Sequence, residues 1–297
     1  WLEVGGATSI AIPFDASTEL VQDILSQVDG ILFPGGGAPV PPSAKDIWRL
    51  LHEDYYPRGD MVPVWGTCLG MEFIVQLAAD NFDDTILEDG YNATNISLPL
   101  LEVERVGLYE SQYIYEAVVH HNIAMNNHHL GISPERFRET DSLASSWQIT
   151  STNIDLNGKS FVSTIEPIDK QKNPIYGVQF HPEKNAFEYG FRPNTTIPYE
   201  AIDHSPEGIA FSVHLAGYFV NTAKENMNKA RFRREHESRR QKHYNAKSAI
   251  YPRVYEYPRE VGNKFEERFI VPPARTLQQE AIIEQIVSSS QSRLRKK

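Results

Sequence analysis

Between residues 9 and 79, short β-rich runs alternate with stretches of helical length, and two of the runs end at glycine. "SIAIPF" (9–14), "GILFPGGG" (30–37) and "MVPVWG" (61–66) read as strands. Ser17 caps a helix through "TELVQDILSQV", with Leu20, Ile24 and Val28 on one face. "SAKDIWRLLHEDYY" (43–56) and "LGMEFIVQLAA" (69–79) carry the next two helices. Strands separated by helices of this length cannot pair as hairpins. They specify an α/β fold, a doubly wound and mostly parallel sheet with helices on both faces.

The remainder is less regular. "ESQYIYEAVV" (110–119) reads as a helix, and residues 145–167 as an antiparallel hairpin turning at Asn157-Gly158. "PIYGVQF" (174–180) is a further buried strand, and Ser205 with Pro206 starts a long helix. Past about residue 228 the pattern turns charged, "YPRVYEYPRE" (251–260) is punctuated by proline, and 275–287 reads as one more helix. The expected division is a catalytic domain over 1–228 and a charged extension over 229–297, partly packed to about residue 255.

Charge is split along the chain. Residues 223–297 hold 18 Lys and Arg against 9 Asp and Glu, whereas residues 1–222 hold 11 against 30. The basic residues of the tail are interspersed with glutamate and carry no recognition motif, so nucleic acid is not the expected partner. No apolar run reaches the ~20 residues that span a bilayer, and "WLEVGGATSIAIPF" lacks the basic and apolar segments of a signal peptide. Three Asn-x-Ser/Thr triplets, at Asn92, Asn95 and Asn194, lie in polar, turn-like stretches and point to the secretory pathway, in a lysosome or vacuole or outside the cell.

The chain has one cysteine, Cys68 in "VPVWGTCLGMEF", which excludes a disulfide within the chain. It stands after a strand and before a helix, flanked by Gly66 and Gly70, where a tight turn lifts a side chain to the carboxyl edge of a sheet. The positive end of a helix favours a thiolate at such a place. A buried thiol filling the core satisfies the same local pattern. His181 follows the strand at 174–180 and Glu183 lies two residues on, with Pro182 between them. A thiol nucleophile needs a base and the base needs an orienting carboxylate, which this turn supplies. "FPGGG" (33–37) offers backbone N–H groups for an oxyanion, with the Leu69 amide as partner donor. No Lys-Ser/Thr follows those glycines, so they are not a phosphate loop. No set of histidines, carboxylates and cysteine has metal-ligand spacing, and neither metal nor cofactor is expected.

"FPGGG", "PVWGTCLGMEF" and "YGVQFHPEKNAFEY" together resemble the signatures of class I glutamine amidotransferase-like hydrolases, and most of all the γ-glutamyl hydrolases. Further similarity lies in "NNHHLGIS" (126–133) and "DHSPEGIAFSVHLAGYFVNTAKEN" (203–226), and weakly in "AKSAIYPRVY" (246–255). The resemblance implies a flavodoxin-like sheet, with Cys68 as nucleophile, His181 as general base, Glu183 orienting it, and His128 in the active site. Gly36 and Leu69 would then hold the oxyanion through their amides, with Gly35, Gly37, Lys184 and Arg192 beside the substrate. A poly-γ-glutamyl small molecule is the implied substrate and a homodimer the implied assembly. The family's chain starts upstream of the equivalent of Trp1, so "WLEVGGA" reads as the end of a first helix and the sheet is expected to lack its first strand. Two other readings stay open: a glutaminase module feeding ammonia to a synthase, and a catalytically inactive relative.

Overall fold

The structure, a computed structural model, describes residues 1–82 and 85–227. The expected extension over 229–297, with its packing to 255, its helix at 275–287 and the similarity at 246–255, lies outside the described residues.

In chain order the elements are α1 (Thr18–Leu25), β1 (Ile31–Phe33), α2 (Pro42–Leu50), β2 (Val64–Thr67) and α3 (Leu69–Ala78). Then come β3 (Ala93–Leu98), α4 (Gln112–His120), β4 (Ala124–His128), and the short α5 (Pro134–Glu139) and α6 (Asp141–Ala144). β5 (Trp147–Ile154), β6 (Ser160–Pro167), β7 (Ile175–Val178), α7 (Lys184–Phe187) and α8 (Pro206–Met227) complete the described chain.

The main sheet has the order β1-β2-β7-β6-β5. β1, β2 and β7 run parallel, and the hairpin β5–β6 extends the sheet antiparallel beyond β7. Every residue of β2 and β7 is buried, because helices cover both faces. The two-residue period of the strands sorts their side chains. Val64 and Ile175 join Val21, Ile47 and Ile74 from α1, α2 and α3 on one face. Trp65 and Tyr176 join Ile114, Phe211 and Leu215 from α4 and α8 on the other. The doubly wound arrangement follows directly.

Two expectations change. Residues 9–14 form no strand: Ile10 and Phe14 are exposed, and Ile12 packs against the core without a strand partner. Residues 1–7 are turns that close as a helix end does: the Gly6 amide donates to Glu3 O and the Ala7 amide to Leu2 O, with Gly6 at φ 85°, the bonding of a Schellman cap. The helix expected over 43–56 is regular only to Leu50. It then widens, the Tyr56 amide reaching back to Leu51 O. An addition is the antiparallel pair β3–β4, whose strands contain asparagine rather than a β-branched run. Asn95 therefore lies inside β3 and Asn92 immediately before it, not in turns. The Asn95 side chain accepts from the Ala201 amide at 2.6 Å, and Ser97 of the same triplet is buried. Asn194 does occupy an exposed turn.

Candidate active site

The chain leaves β2 at Thr67 and enters α3 at Leu69, and Cys68 alone makes the reversal. Its φ of 51° and ψ of −110° lie where an L-residue is strained, at a cost of about 1–3 kcal/mol. The surroundings hold it there. The Cys68 amide donates to Val178 O of β7 at 2.7 Å, and its carbonyl accepts from the Met71 and Glu72 amides at 2.9 and 3.1 Å. Helical bonding thus begins at the Cys68 carbonyl, which leaves the Leu69 amide at the helix end with no acceptor inside the helix. Glycine on either side is a steric requirement. A Cβ on Gly70 would stand 2.0 Å from Phe33 O of β1, and one on Gly66 would stand 2.5 Å from Gly70 O.

His181 comes to this turn from β7, three residues past its last strand residue, and its amide donates to Met125 O of β4 at 2.8 Å. Its Nδ1 bonds Glu183 Oε1 at 2.7 Å. That bond directs the other ring nitrogen away from Glu183, and the imidazole also hydrogen-bonds Cys68. Burial favours the neutral ring. The bond to Cys68 and the charge on that sulfur, followed by the bond to Glu183 and its charge, outweigh burial and raise the His181 pKa to about 10. The ring lies against Gly35, where a Cβ would come within 2.5 Å of His181 Cε1 and 3.6 Å of Cys68 Cβ. A Cβ on Gly36 would touch Leu69 Cδ2 at 3.4 Å, so Gly36 and Leu69 border the same space, and Gly37 stands at the open lip. A cleft of about 220 Å³ opens alongside, walled by Pro34, Gly35, Thr67 and Glu183 and by Trp1 and Glu3.

His128 ends β4 and is buried, its ring packed edge-on to Phe161 with centroids 4.8 Å apart. Burial lowers its pKa to about 4, its bond to Leu130 O offsetting part of that and the His181 charge adding to it. Its Nε2 has no hydrogen-bond partner among the described residues. Lys184 does not stand open to a substrate. Its ammonium is bonded to Glu200 and lies 3.3 Å from Glu188, and these carboxylates raise its pKa against the opposing effect of burial. Arg192 is on the turn at 190–199, its amide donating to Ile197 O. Among the described residues no group of three or more histidines, cysteines and carboxylates is arranged to hold a metal, and no helix is long and apolar enough to cross a membrane.

Sequence reasoning missed Gln179 and Glu72. Gln179 Nε2 lies 3.9 Å from Cys68 Sγ and 2.9 Å from Glu72 Oε1, and both side chains are buried. Their signals were a glutamine in an apolar strand and a glutamate one helical turn past the cysteine.

Comparison with known proteins identifies the family. Residues 2–193 match the family described as glutamine amidotransferase class-I. The chain is 34% identical over 241 residues to γ-glutamyl hydrolase B of Dictyostelium discoideum, covering 77% of this chain and 65% of that protein. It is 31% identical over 235 residues to γ-glutamyl hydrolase 1 of Arabidopsis thaliana, covering 76% and 64%. With the γ-glutamyl hydrolase of Rattus norvegicus it shares 30% over 237 residues, covering 76% and 69%. The chain thus spans just under two thirds of the length of the Dictyostelium and Arabidopsis proteins.

Proposed function

This chain belongs to the class-I glutamine amidotransferase family, among the relatives of the γ-glutamyl hydrolases, and from that premise we propose that it hydrolyses γ-glutamyl bonds by a cysteine mechanism, with folyl poly-γ-glutamates as substrate. The observation that carries the reading is the strained Cys68 turn facing a His181–Glu183 pair bonded at 2.7 Å. The Cys68 thiolate attacks the γ-carbonyl carbon, and the carbonyl π electrons pass to oxygen. The amides of Gly36 and Leu69 receive that oxyanion. The tetrahedral species collapses, the C–N bond breaks, and His181 gives its proton to the departing amine. A thioester remains. His181, now neutral, takes a proton from water, the hydroxide adds to the thioester, and the Cys68 thiolate leaves. Glu183 stabilises the imidazolium at both ends of the cycle.

Cys68→Ala is expected to abolish glutamate release from a defined pteroyl-polyglutamate, followed by product mass. Release at the wild-type rate would overturn the mechanism. The same three residues suit free glutamine, and the family is described by amidotransferases. Ammonia release from glutamine faster than cleavage of γ-glutamyl peptides would favour a glutaminase. The exposed Asn194 triplet supports a place in the secretory pathway, which a glycosidase-sensitive mass shift checks.

A further inference from the structure

α3 is buried mostly through apolar side chains, with Glu72 and Gln76 as its buried polar ones. Met71, Ile74 and Val75 of α3 are buried without polar atoms in contact with water. Among them Glu72 and Gln179 are 4% and 1% exposed, and they bond each other at 2.9 Å. A buried carboxyl–carboxamide pair is costly to desolvate, and an apolar pair of the same size would fill the space at lower cost. What distinguishes this pair is its third neighbour. Gln179 Nε2 is also 3.9 Å from Cys68 Sγ, the reach of an N–H···S bond.

The chemistry of the three groups fixes their roles. A carboxamide nitrogen carries two N–H donors in one plane. A carboxylate on Glu72 only accepts, so it selects the flip in which nitrogen rather than oxygen faces it. With one N–H engaged by Glu72, the other is available to the sulfur. The opposite flip would turn Oε1 toward both a carboxylate and a thiolate. The backbone keeps the glutamine from drifting: the Gln179 amide donates to Ser163 O at 2.9 Å, and the Cys68 and His181 amides are bonded to Val178 O and Met125 O.

We infer that Gln179 is a positioning residue for Cys68, aimed by Glu72, whose N–H···S bond holds the sulfur beside His181 and stabilises its charge. The inference rests on Cys68 being the nucleophile proposed above. The bond joins α3, which follows the nucleophile, to the residue just past β7, two before the base.

Gln179→Met keeps the length of the side chain and removes the donor. In the full-length chain, alkylation of Cys68 by iodoacetamide at pH 6, followed by intact mass, is expected to slow about tenfold, the size of one hydrogen bond to a charged group. The kcat for γ-glutamyl hydrolysis should fall by a similar factor with KM within about twofold, because the lost bond acts on the reacting atom. Glu72→Gln leaves an amide pair free to take either flip and should slow alkylation about threefold, between the wild type and Gln179→Met. Wild-type alkylation in a folded Gln179→Met chain overturns the inference. If that variant fails to fold, wild-type alkylation in Glu72→Gln does so instead. The alkylation readout needs no substrate. Hydrolysis retained by Cys68→Ala strikes the proposed mechanism itself, whereas a Cys68-dependent enzyme indifferent to Gln179 loses only this step.

Discussion

The ends of β7 and β4 each present a buried histidine, and the two are close enough for one to feel the charge of the other. His181, past β7, has its pKa raised to about 10, while His128, at the end of β4, has its pKa lowered to about 4. Burial pushes both toward the neutral ring. What separates them is the partner set: the Cys68 sulfur and the Glu183 carboxylate for His181, a backbone carbonyl and aromatic rings for His128. A neutral acceptor orients an imidazole but does not hold a proton on it. Depth alone therefore does not mark a catalytic histidine in this fold. Charged neighbours do.

The sharpest way to break the contrast is to make His181 resemble His128. Glu183→Gln keeps a hydrogen bond to Nδ1 but removes the second of the two charges that raise its pKa. Turnover is expected to fall on the order of 10²–10³-fold, since the carboxylate no longer stabilises the imidazolium. The His181 pKa falls, so the alkaline limb of the rate profile, where the imidazolium is lost, moves to lower pH. A pH–rate profile with an unmoved alkaline limb would show that Glu183 does not govern the proton.

A second way leaves every charge in place and moves the ring. Gly35→Ala puts a methyl where 2.5 Å now separates the ideal Cβ position from His181 Cε1, and the imidazole must shift away from Cys68. A displacement of about 1 Å at a reacting pair costs about 100-fold in kcat. Gly35 is only half-buried, so the unfolding midpoint should change little by comparison. A kcat near wild type would mean that the ring does not need this seat.

The parts of this site that were legible in the sequence are those where sterics or short loops bind the chemistry to neighbours in the chain. Gly66 and Gly70 bracket Cys68 because backbone atoms of Gly70 and Phe33 occupy the space a Cβ would take. His181 and Glu183 could be paired because one turn joins them. Gln179 and Glu72 could not, since 107 residues separate them and only the packing of α3 on β7 brings them together. Lys184 read as a cation open to a polyanion because Glu188 and Glu200 approach it only in the fold. Residues 9–14 carried the alternation of a strand, but a strand needs an edge to pair with as well as a pattern.

The smallest effect is read in stability rather than in turnover. Each linkage has its own sign. His128 binds a proton more weakly in the folded chain, at about 4, than in the unfolded chain, near 6.5. Its contribution to stability is complete above pH 6.5 and drains away as pH falls toward 4. His181 is the reverse, contributing fully below pH 6.5 and losing its share as pH rises toward 10. Between pH 7 and pH 5 the His128 part comes to about 2 kcal/mol, measured by urea unfolding at the two pH values. His128→Gln has no proton to gain and should flatten that acid-side loss, leaving the alkaline side as it was. An acid limb equally steep in the variant would assign the loss to the carboxylates, and the contrast between the two histidines would then rest on His181 alone.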